Sequence, residues 1–173
     1  MAERPGLDRI DRNILAVLQR DGRITNQRLS EQVALSPSAC LSRVKRMERT
    51  GVITGYRAQV GPTQLGSCLV VFAELTVSAH DAGAVQRIEA ALRAMPQAVE
   101  AYQVTGGYDF LVRFLVIDMA DWTALADKLT DGDLGIATLK TVAVMRVLKA
   151  WNGIPTERRT SNKPSGKSAG DRA

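Results

Sequence analysis

The sequence has very few of the residues with which proteins hold metal ions or activate nucleophiles. It contains a single histidine, His80, and its two cysteines, Cys40 and Cys68, are too far apart for a CxxC pair. A classical zinc site needs a cluster of such ligands. There is also no GxGxxG, GxxxxGKS or GxxxxGKT segment to bind a nucleotide. We therefore expect neither an enzyme nor a site for a metal or a cofactor.

Long apolar runs are missing as well. No stretch approaches the roughly 18 consecutive apolar residues of a membrane-spanning helix. The charged N-terminal segment MAERPGLDRIDR lacks the apolar centre of a secretion signal. These absences predict a cytoplasmic protein without a membrane partner, in which the cysteines stay reduced.

What the chain does contain is an uneven distribution of charge. The net charge is +5, but residues 1–60 hold 11 basic and 6 acidic groups, whereas residues 61–155 hold 7 basic and 10 acidic groups. Residues 156–173 add 5 basic and 2 acidic groups. The basic N-terminal region favours an anionic partner, and the acidic middle indicates a second domain with another task.

Residues 7–50 show the periodicity of three short helices. Each is preceded by a residue whose side chain can accept hydrogen bonds from the free N–H groups of the first turn; these N-caps are Asp8, Thr25 and Ser36. Pro37 fits the first position of the third helix, which we expect to end at Gly51. The very tight turn between the second and third helices predicts a helix-turn-helix unit.

The third helix has an apolar stripe formed by Cys40, Val44 and Met47, and a polar face rich in serine and cations. That face suits DNA, although an ordinary solvated helix has a similar one. The residues that we expect to contact DNA are Ser36, Ser38, Ser42, Arg43, Lys45, Arg46 and Arg49. We expect Ser38, Ser42 and Arg43 to lie nearest the bases, and the others to position the DNA backbone.

The rest of the chain divides into a linker, a second domain and a tail. After the helix-turn-helix domain of residues 1–60, whose last segment, 52–60, alternates enough for a strand or ribbon, GPTQLG at 61–66 is typical of a linker. Residues 67–152 follow the order strand, helix, strand, strand, helix, strand. Residues 153–173 form a polar, basic tail that cannot pack a core and is expected to be disordered. The fold class is α+β: a winged helix-turn-helix domain, then a ferredoxin-like βαββαβ domain.

The strands of the second domain are expected at 68–77, 98–106, 109–117 and 136–151. The first and third are apolar on both faces; Val70 and Phe72 oppose Val71 and Ala73 in the first. Two helices cover only one face of a four-stranded sheet, so a second copy of the sheet is the simplest cover for the other. This predicts a homodimer, with the linker or first domain as the alternative cover.

The segment from Leu7 to Val60 resembles the DNA-binding domain of the leucine-responsive regulator and AsnC family, the feast/famine regulators of prokaryotic transcription. VTGGYDFLVRF, 104–114, resembles that family's Gly-Asp-Tyr-Asp segment. By composition alone TGGYD is a β-turn. The resemblance implies a loop for a small-molecule effector, with an amino acid or related metabolite the expected ligand, formed by Thr105, Gly106, Gly107, Tyr108 and Asp109. It also implies dimers that assemble into larger oligomers.

Two positions depart from the family pattern. Ala34 stands in the tight turn where the family usually has Gly or Asn, which adopt a left-handed backbone more readily. Gly107 stands where the family often has Asp, a residue suited to an amino acid's ammonium group.

The sequence thus predicts a sequence-specific, nucleoid-associated transcription regulator whose assembly responds to an effector. The alternative is an architectural protein that binds DNA with little sequence choice, because the same fold and charges permit it.

Overall fold

The computed structural model of the protein describes residues 6–61, 64, 66, 68–78 and 83–156. They form two compact units: the chain up to residue 58 with the chain from residue 150, and residues 59–149. The helices are α1 (Arg9–Arg20), α2 (Asn26–Gln32), α3 (Pro37–Arg49), α4 (Ala84–Ala94) and α5 (Met119–Thr130); the strands are β1 (Leu69–Val77), β2 (Ala98–Gln103), β3 (Phe110–Val116) and β4 (Ile136–Ala143).

The predicted caps of the first three helices are confirmed. The side chains of Asp8, Thr25 and Ser36 each accept a backbone hydrogen bond from the first turn of their helix. The inward stripe of α3 is also correct: Cys40 and Met47 are buried, and Val44 packs against the same core, which includes residues of α1 and α2. Apolar burial therefore joins the three helices, and the caps set where each begins.

The tight turn between α2 and α3 passes through a left-handed residue. Ala34 has a φ angle of 55°, the one non-glycine residue with positive φ in the described part of the chain. The backbone N–H of Leu35 donates to the carbonyl of Ser30 at 2.9 Å. This hydrogen bond closes the end of α2, and the left-handed residue turns the chain so that Ser36, the N-cap of α3, follows two residues later.

The second unit contains a four-stranded antiparallel sheet in the order β2-β3-β1-β4, which confirms the predicted βαββαβ fold. Burial alternates along β1 and β3, and Val71 lies beside Phe114 while Ala73 lies beside Val112. These inner side chains form a core with residues of α4 and α5, so the helices cover one face of the sheet. Trp122 of α5 packs at 5.2 Å from Phe114 between ring centroids.

Two predicted strands differ in the structure. No strand forms within 52–60, because no neighbouring strand among the described residues pairs with it, and the N–H groups of Val52 and Ile53 instead donate to the carbonyl of Met47. The last strand ends at Ala143 rather than 151. Ala143 pairs with Val71, and the N–H of Val144 donates to the carbonyl of Val70; because β1 begins at Leu69, it offers almost no partners for the residues that follow.

The helical spacing of residues 119–129 predicts Met119, Trp122, Ala126 and Leu129 as inward positions, and the structure differs at the first of them. Met119 is 51% exposed, whereas Leu125 is buried with Trp122 and Leu129. Met119 is the first residue after the N-cap Asp118, where the helix has only begun. The buried stripe starts one turn later.

Part of the predicted tail packs against α1. Gln19 donates its side-chain N–H to the carbonyl of Ile154 at 3.0 Å, and its Oε1 accepts from the N–H of Ile154 at 2.5 Å. Residues 157–173, half of the linker (residues 62, 63 and 65), and His80 lie outside the described residues. The expectation of disorder for the end of the chain stays a prediction.

Candidate nucleic-acid interface and effector loop

Helix α3 presents a polar, cationic surface to solvent. Ser38, Ser42, Lys45 and Arg49 are exposed, and the buried Cys40 and Met47 anchor the opposite side of the helix. The domain core therefore determines which side of α3 stays available. These exposed groups suit DNA, because hydroxyls and cations bind phosphate oxygens and base edges.

The N-terminus of α3 is held by three side-chain hydrogen bonds. Ser36 accepts the N–H of Ala39 at 3.3 Å and lies 3.2 Å from the hydroxyl of Ser38. The Asn26 side chain of α2 donates to the carbonyl of Pro37 at 2.8 Å. Ser36 thus acts first as a cap, while Asn26 fixes the start of α3 against the preceding helix.

Two cations of α3 are engaged inside the domain. Arg43 Nη1 lies 2.6 Å from Asp8 Oδ2 and 2.9 Å from Asp11 Oδ1. Arg46 Nη2 lies 2.6 Å from Asp11 Oδ2. The prediction placed both arginines at DNA with no internal partner. At the start of α1 the sequence indicates only the cap at Asp8, and nothing in the local pattern indicates that the Asp11 carboxylate binds two arginines.

These contacts shift two pKa values in the directions expected of ion pairs. The pKa of Asp8 is lowered, first by the backbone N–H of Asp11 and then by the Arg43 guanidinium. The pKa of Arg43 is raised, chiefly by hydrogen bonds to Asp8 and Asp11. At neutral pH Asp8 and Arg43 are therefore both charged.

One exposed apolar side chain on α3 was not predicted from the sequence. Leu41 is 41% exposed and does not belong to the buried stripe. Its signal is its position directly after Cys40, where a helix turns by about a quarter circle per residue away from the core. An exposed leucine among serines offers a surface for a thymine methyl group.

The predicted effector loop connects β2 and β3. Thr105, Gly106 and Gly107 are exposed, and Tyr108 is half-buried. Gly106 has a φ angle of 136°, a conformation that only glycine adopts readily, and a Cβ there would meet no heavy atom within 4 Å. The loop is therefore open to solvent, with its backbone N–H groups close to the surface.

Asp109 is held in place by β1. Its Oδ2 accepts the backbone N–H of Val77 at 2.7 Å, and its own N–H donates to the carbonyl of Leu75 at 2.9 Å. Its carbonyl accepts the N–H of Val104 at 2.9 Å, which closes the loop. Asp109 thus has a structural role in the loop, whereas the sequence predicts for it only a contact with a ligand.

A cavity of about 380 Å³ lies beside the loop, between α4 and the edge strand β2. Its lining includes Leu92, Tyr102 and Phe110, with Glu89 and Arg93 on the α4 side. Leu92 and Phe110 of this lining are buried, whereas Glu89 and Arg93 are exposed. Among the residues that the structure describes, no group of three or more His, Cys, Asp or Glu side chains is placed to hold a metal ion.

The two units match two known families in the same order. The family described as winged helix-turn-helix DNA-binding matches residues 7–54, and the Lrp/AsnC ligand binding domain matches residues 70–153. The leucine-responsive regulatory proteins of Salmonella typhimurium and Escherichia coli K12 are each 40% identical to this chain over 152 residues, which cover 87% of this chain and 93% of each relative. This chain belongs to the Lrp/AsnC family.

Solved structures of Lrp/AsnC proteins share the fold. A Neisseria meningitidis transcriptional regulator, solved as a complex with L-Met, has a TM-score of 0.82 at 31% identity and covers 87% of this chain and 97% of its own. An AsnC family regulator from Agrobacterium tumefaciens has a TM-score of 0.80 at 28% identity over 86% of this chain and 97% of its own.

Family membership confirms the main functional expectation: the protein is a DNA-binding transcription regulator with a ligand-binding domain. Because the family consists of regulators, it also confirms that the chain is not an enzyme. No helix in the described part of the chain is long and apolar enough to cross a membrane.

Proposed function

We propose that this Lrp/AsnC regulator recognises a specific DNA sequence through α3 and that an amino acid alters its assembly. The observation that carries the first part is the exposed serine and cation face of α3, in a helix whose other side is anchored in the core. In a helix-turn-helix domain, such a face enters the major groove.

The residues of this face fall into two groups, according to the part of the DNA that each is proposed to contact. We assign Ser38, Ser42 and Arg43 to base edges, and Leu41 beside them to a thymine methyl group. The residues assigned to the phosphates are Ser36, Lys45, Arg46 and Arg49. The ion pairs of Arg43 and Arg46 limit their movement but leave other N–H donors on each guanidinium.

The regulator is proposed to act as a homodimer that buries the outer face of its sheet. Val70 lies beside Leu115 on this face, and Phe72 lies beside Val142, opposite the helix-covered side. A second copy covers these apolar side chains and relates two α3 helices by a two-fold axis. The operator half-sites would then be roughly 34–36 Å apart, or a multiple of that distance. Larger oligomers are proposed to form from these dimers.

The effector is proposed to be an amino acid or related metabolite bound at the loop 105–109. The Neisseria relative was solved with L-Met, which supports this ligand class. Backbone N–H groups of Gly106 and Gly107 suit a carboxylate, and Asp109 retains a second oxygen for an ammonium group. Tyr108 is assigned to the ligand's side chain. Cytoplasmic action at the nucleoid follows from DNA as the partner.

The test is selection of genomic DNA fragments with the purified protein at near-physiological salt, with and without a mixture of amino acids. We expect a few fragments that share a two-fold related motif, and a changed pattern with one amino acid. Uniform recovery of all fragments would instead support the architectural alternative, because attraction to phosphates does not depend on sequence.

Matched variants locate the interface. Lys45→Ala and Arg49→Ala should each weaken binding to a selected fragment, whereas Arg93→Ala on α4 removes the same charge from the other unit and should leave it unchanged. Equal affinities for all three variants would exclude α3 as the DNA-binding helix.

A further inference from the structure

Two arginines of α3 share one carboxylate that solvent does not reach. The Asp11 side chain is 1% exposed, and its two oxygens accept from Arg43 and Arg46. The backbone N–H of Asp8 adds a third donor at 3.1 Å. A buried carboxylate is tolerated only with such partners, because leaving water is costly for a charge. Asp11 is therefore committed within the domain and does not touch DNA itself.

The two arginines remain accessible. Their side chains are 29% and 43% exposed, for Arg43 and Arg46 respectively. Each guanidinium has five N–H donors. Within the described residues, Arg43 uses Nη1 and Arg46 uses Nη2 for the carboxylates, and neither side chain donates to any other group. Each guanidinium therefore keeps N–H donors for a further acceptor while a carboxylate holds one of its edges.

The charges of this cluster cancel. Asp8 and Asp11 supply two negative charges to two positive ones, and Asp8, on the solvent side, is the more exposed carboxylate. Net positive charge attracts the phosphates of DNA whatever the base sequence, and an arginine paired with a carboxylate attracts them less. A guanidinium held in one orientation still forms a hydrogen bond to an acceptor at the right place.

We propose that Asp8 and Asp11 are positioning residues for DNA recognition, which hold the guanidinium groups of Arg43 and Arg46 and reduce their attraction to non-operator DNA. This rests on the proposed assignment of α3 as the DNA-reading helix. Discrimination between sequences then depends on carboxylates of α1 that lie outside the DNA contact.

The test uses Asp8→Asn. Asparagine caps a helix as well as aspartate does, so α1 retains its cap and only the charge beside Arg43 is removed. The control is Asp21→Asn, which makes the same charge change at the other end of α1, where Asp21 also accepts one backbone hydrogen bond. Affinities for a selected fragment and a scrambled fragment of equal length are measured at several salt concentrations. Urea unfolding checks that both variants fold like the wild type.

For Asp8→Asn we expect tighter binding to the scrambled fragment. We also expect a steeper fall of log affinity with log salt concentration, with a slope change of roughly 0.9, which corresponds to about one additional phosphate contact. The ratio of selected to scrambled affinity should fall at least fivefold. Asp21→Asn should change both affinities alike and keep the ratio within twofold of wild type.

An unchanged ratio and salt slope in folded Asp8→Asn would overturn the proposal, as would identical behaviour of the two variants. Failure of the underlying assignment is separate: the Lys45→Ala and Arg49→Ala variants would then bind the selected fragment as tightly as wild type does. The salt slope also separates positioning from stability alone, because a purely structural loss changes the unfolding transition and not the number of phosphates contacted.

Discussion

The carboxylate of Asp109 accepts the backbone N–H of Val77 at 2.7 Å, and so joins the effector loop to the end of β1. The regular pairing of β1 with β3 ends at Leu75 and Phe110, two residues before Val77. Beyond the end of a ladder, a backbone N–H has no regular strand partner on that side. Asp109 supplies the partner that the ladder does not.

Replacement of Asp109 should separate its structural role from its proposed ligand role. Asp109→Ala leaves the N–H of Val77 without an acceptor and should lower the free energy of unfolding by about 1–3 kcal/mol. Asp109→Asn retains an acceptor oxygen and should cost less, yet it removes the charge for an ammonium group. Urea unfolding measures the first effect, and calorimetric titration with the amino acid found by fragment selection measures the second. Equal stability of the two variants would contradict the structural role.

The left-handed turn at Ala34 predicts a stabilising substitution. A left-handed conformation costs a non-glycine residue about 1–2 kcal/mol. Glycine avoids this cost, but the greater conformational freedom of its unfolded chain offsets roughly half of the gain in stability. Ala34→Gly should therefore raise the free energy of unfolding by about 0.5 kcal/mol in urea denaturation. The same change in the interior of α1, Ala16→Gly, should lower it by about 1 kcal/mol. A loss at both positions would show that the turn carries no strain.

Tyr56 should titrate far above an ordinary tyrosine. Its hydroxyl donates to Glu48 at 2.9 Å, and partial burial followed by this contact raises the pKa of Tyr56 to about 12. Since the folded pKa exceeds the unfolded value of about 10, the pair stabilises the fold below pH 10. That contribution is lost as the pH rises from 10 through 12.

Absorbance of tyrosinate, followed with circular dichroism across this pH range, measures the titration. Glu48→Gln should bring the late-titrating component to lower pH, and Tyr56→Phe should remove it. A titration in which all tyrosines ionise together near pH 10 in the folded protein would refute the assignment.

The outer face of the sheet predicts a variant that breaks the proposed dimer. Leu115 lies beside Val70 on the side of the sheet away from α4 and α5. A charge there would be buried without a partner in a sheet-to-sheet dimer, so Leu115→Glu should shift the mass in light scattering from dimer to monomer with its secondary structure retained. Thr123→Glu, on the exposed side of α5, should leave the mass unchanged. A dimeric Leu115→Glu variant would place the interface elsewhere.

Much of the fold could be predicted because it depends on neighbours in sequence. A serine or aspartate caps the helix that follows it, and apolar spacing shows which side of a helix or strand is inward. These rules placed Ser36 before α3, and Cys40 and Met47 on the inward side of that helix. They failed at the last strand, whose length depends on where β1, more than sixty residues earlier, begins.

The candidate site was predictable only in part, for the same reason. The helical period placed Arg43 and Arg46 on α3 but carried no information about Asp8 and Asp11, which lie 32–35 residues away. In the loop, TGGYD indicated a turn, while the bond from Asp109 to Val77 crosses between β3 and β1. A local pattern does not report which side chains meet across two elements.

The sequence by itself determined the two-unit plan: three capped helices with a very tight turn between the second and third, a βαββαβ sheet apolar on both faces, and the polar surface of α3. Propensity, capping and periodicity act within a few residues, so they are legible in the chain. Only the tertiary structure decided that two arginines of α3 close on a buried aspartate of α1, and that Asp109 supports β1. Such pairings arise where packing brings distant segments within hydrogen-bond distance, because a charge or a polar group that loses water must find its partner there.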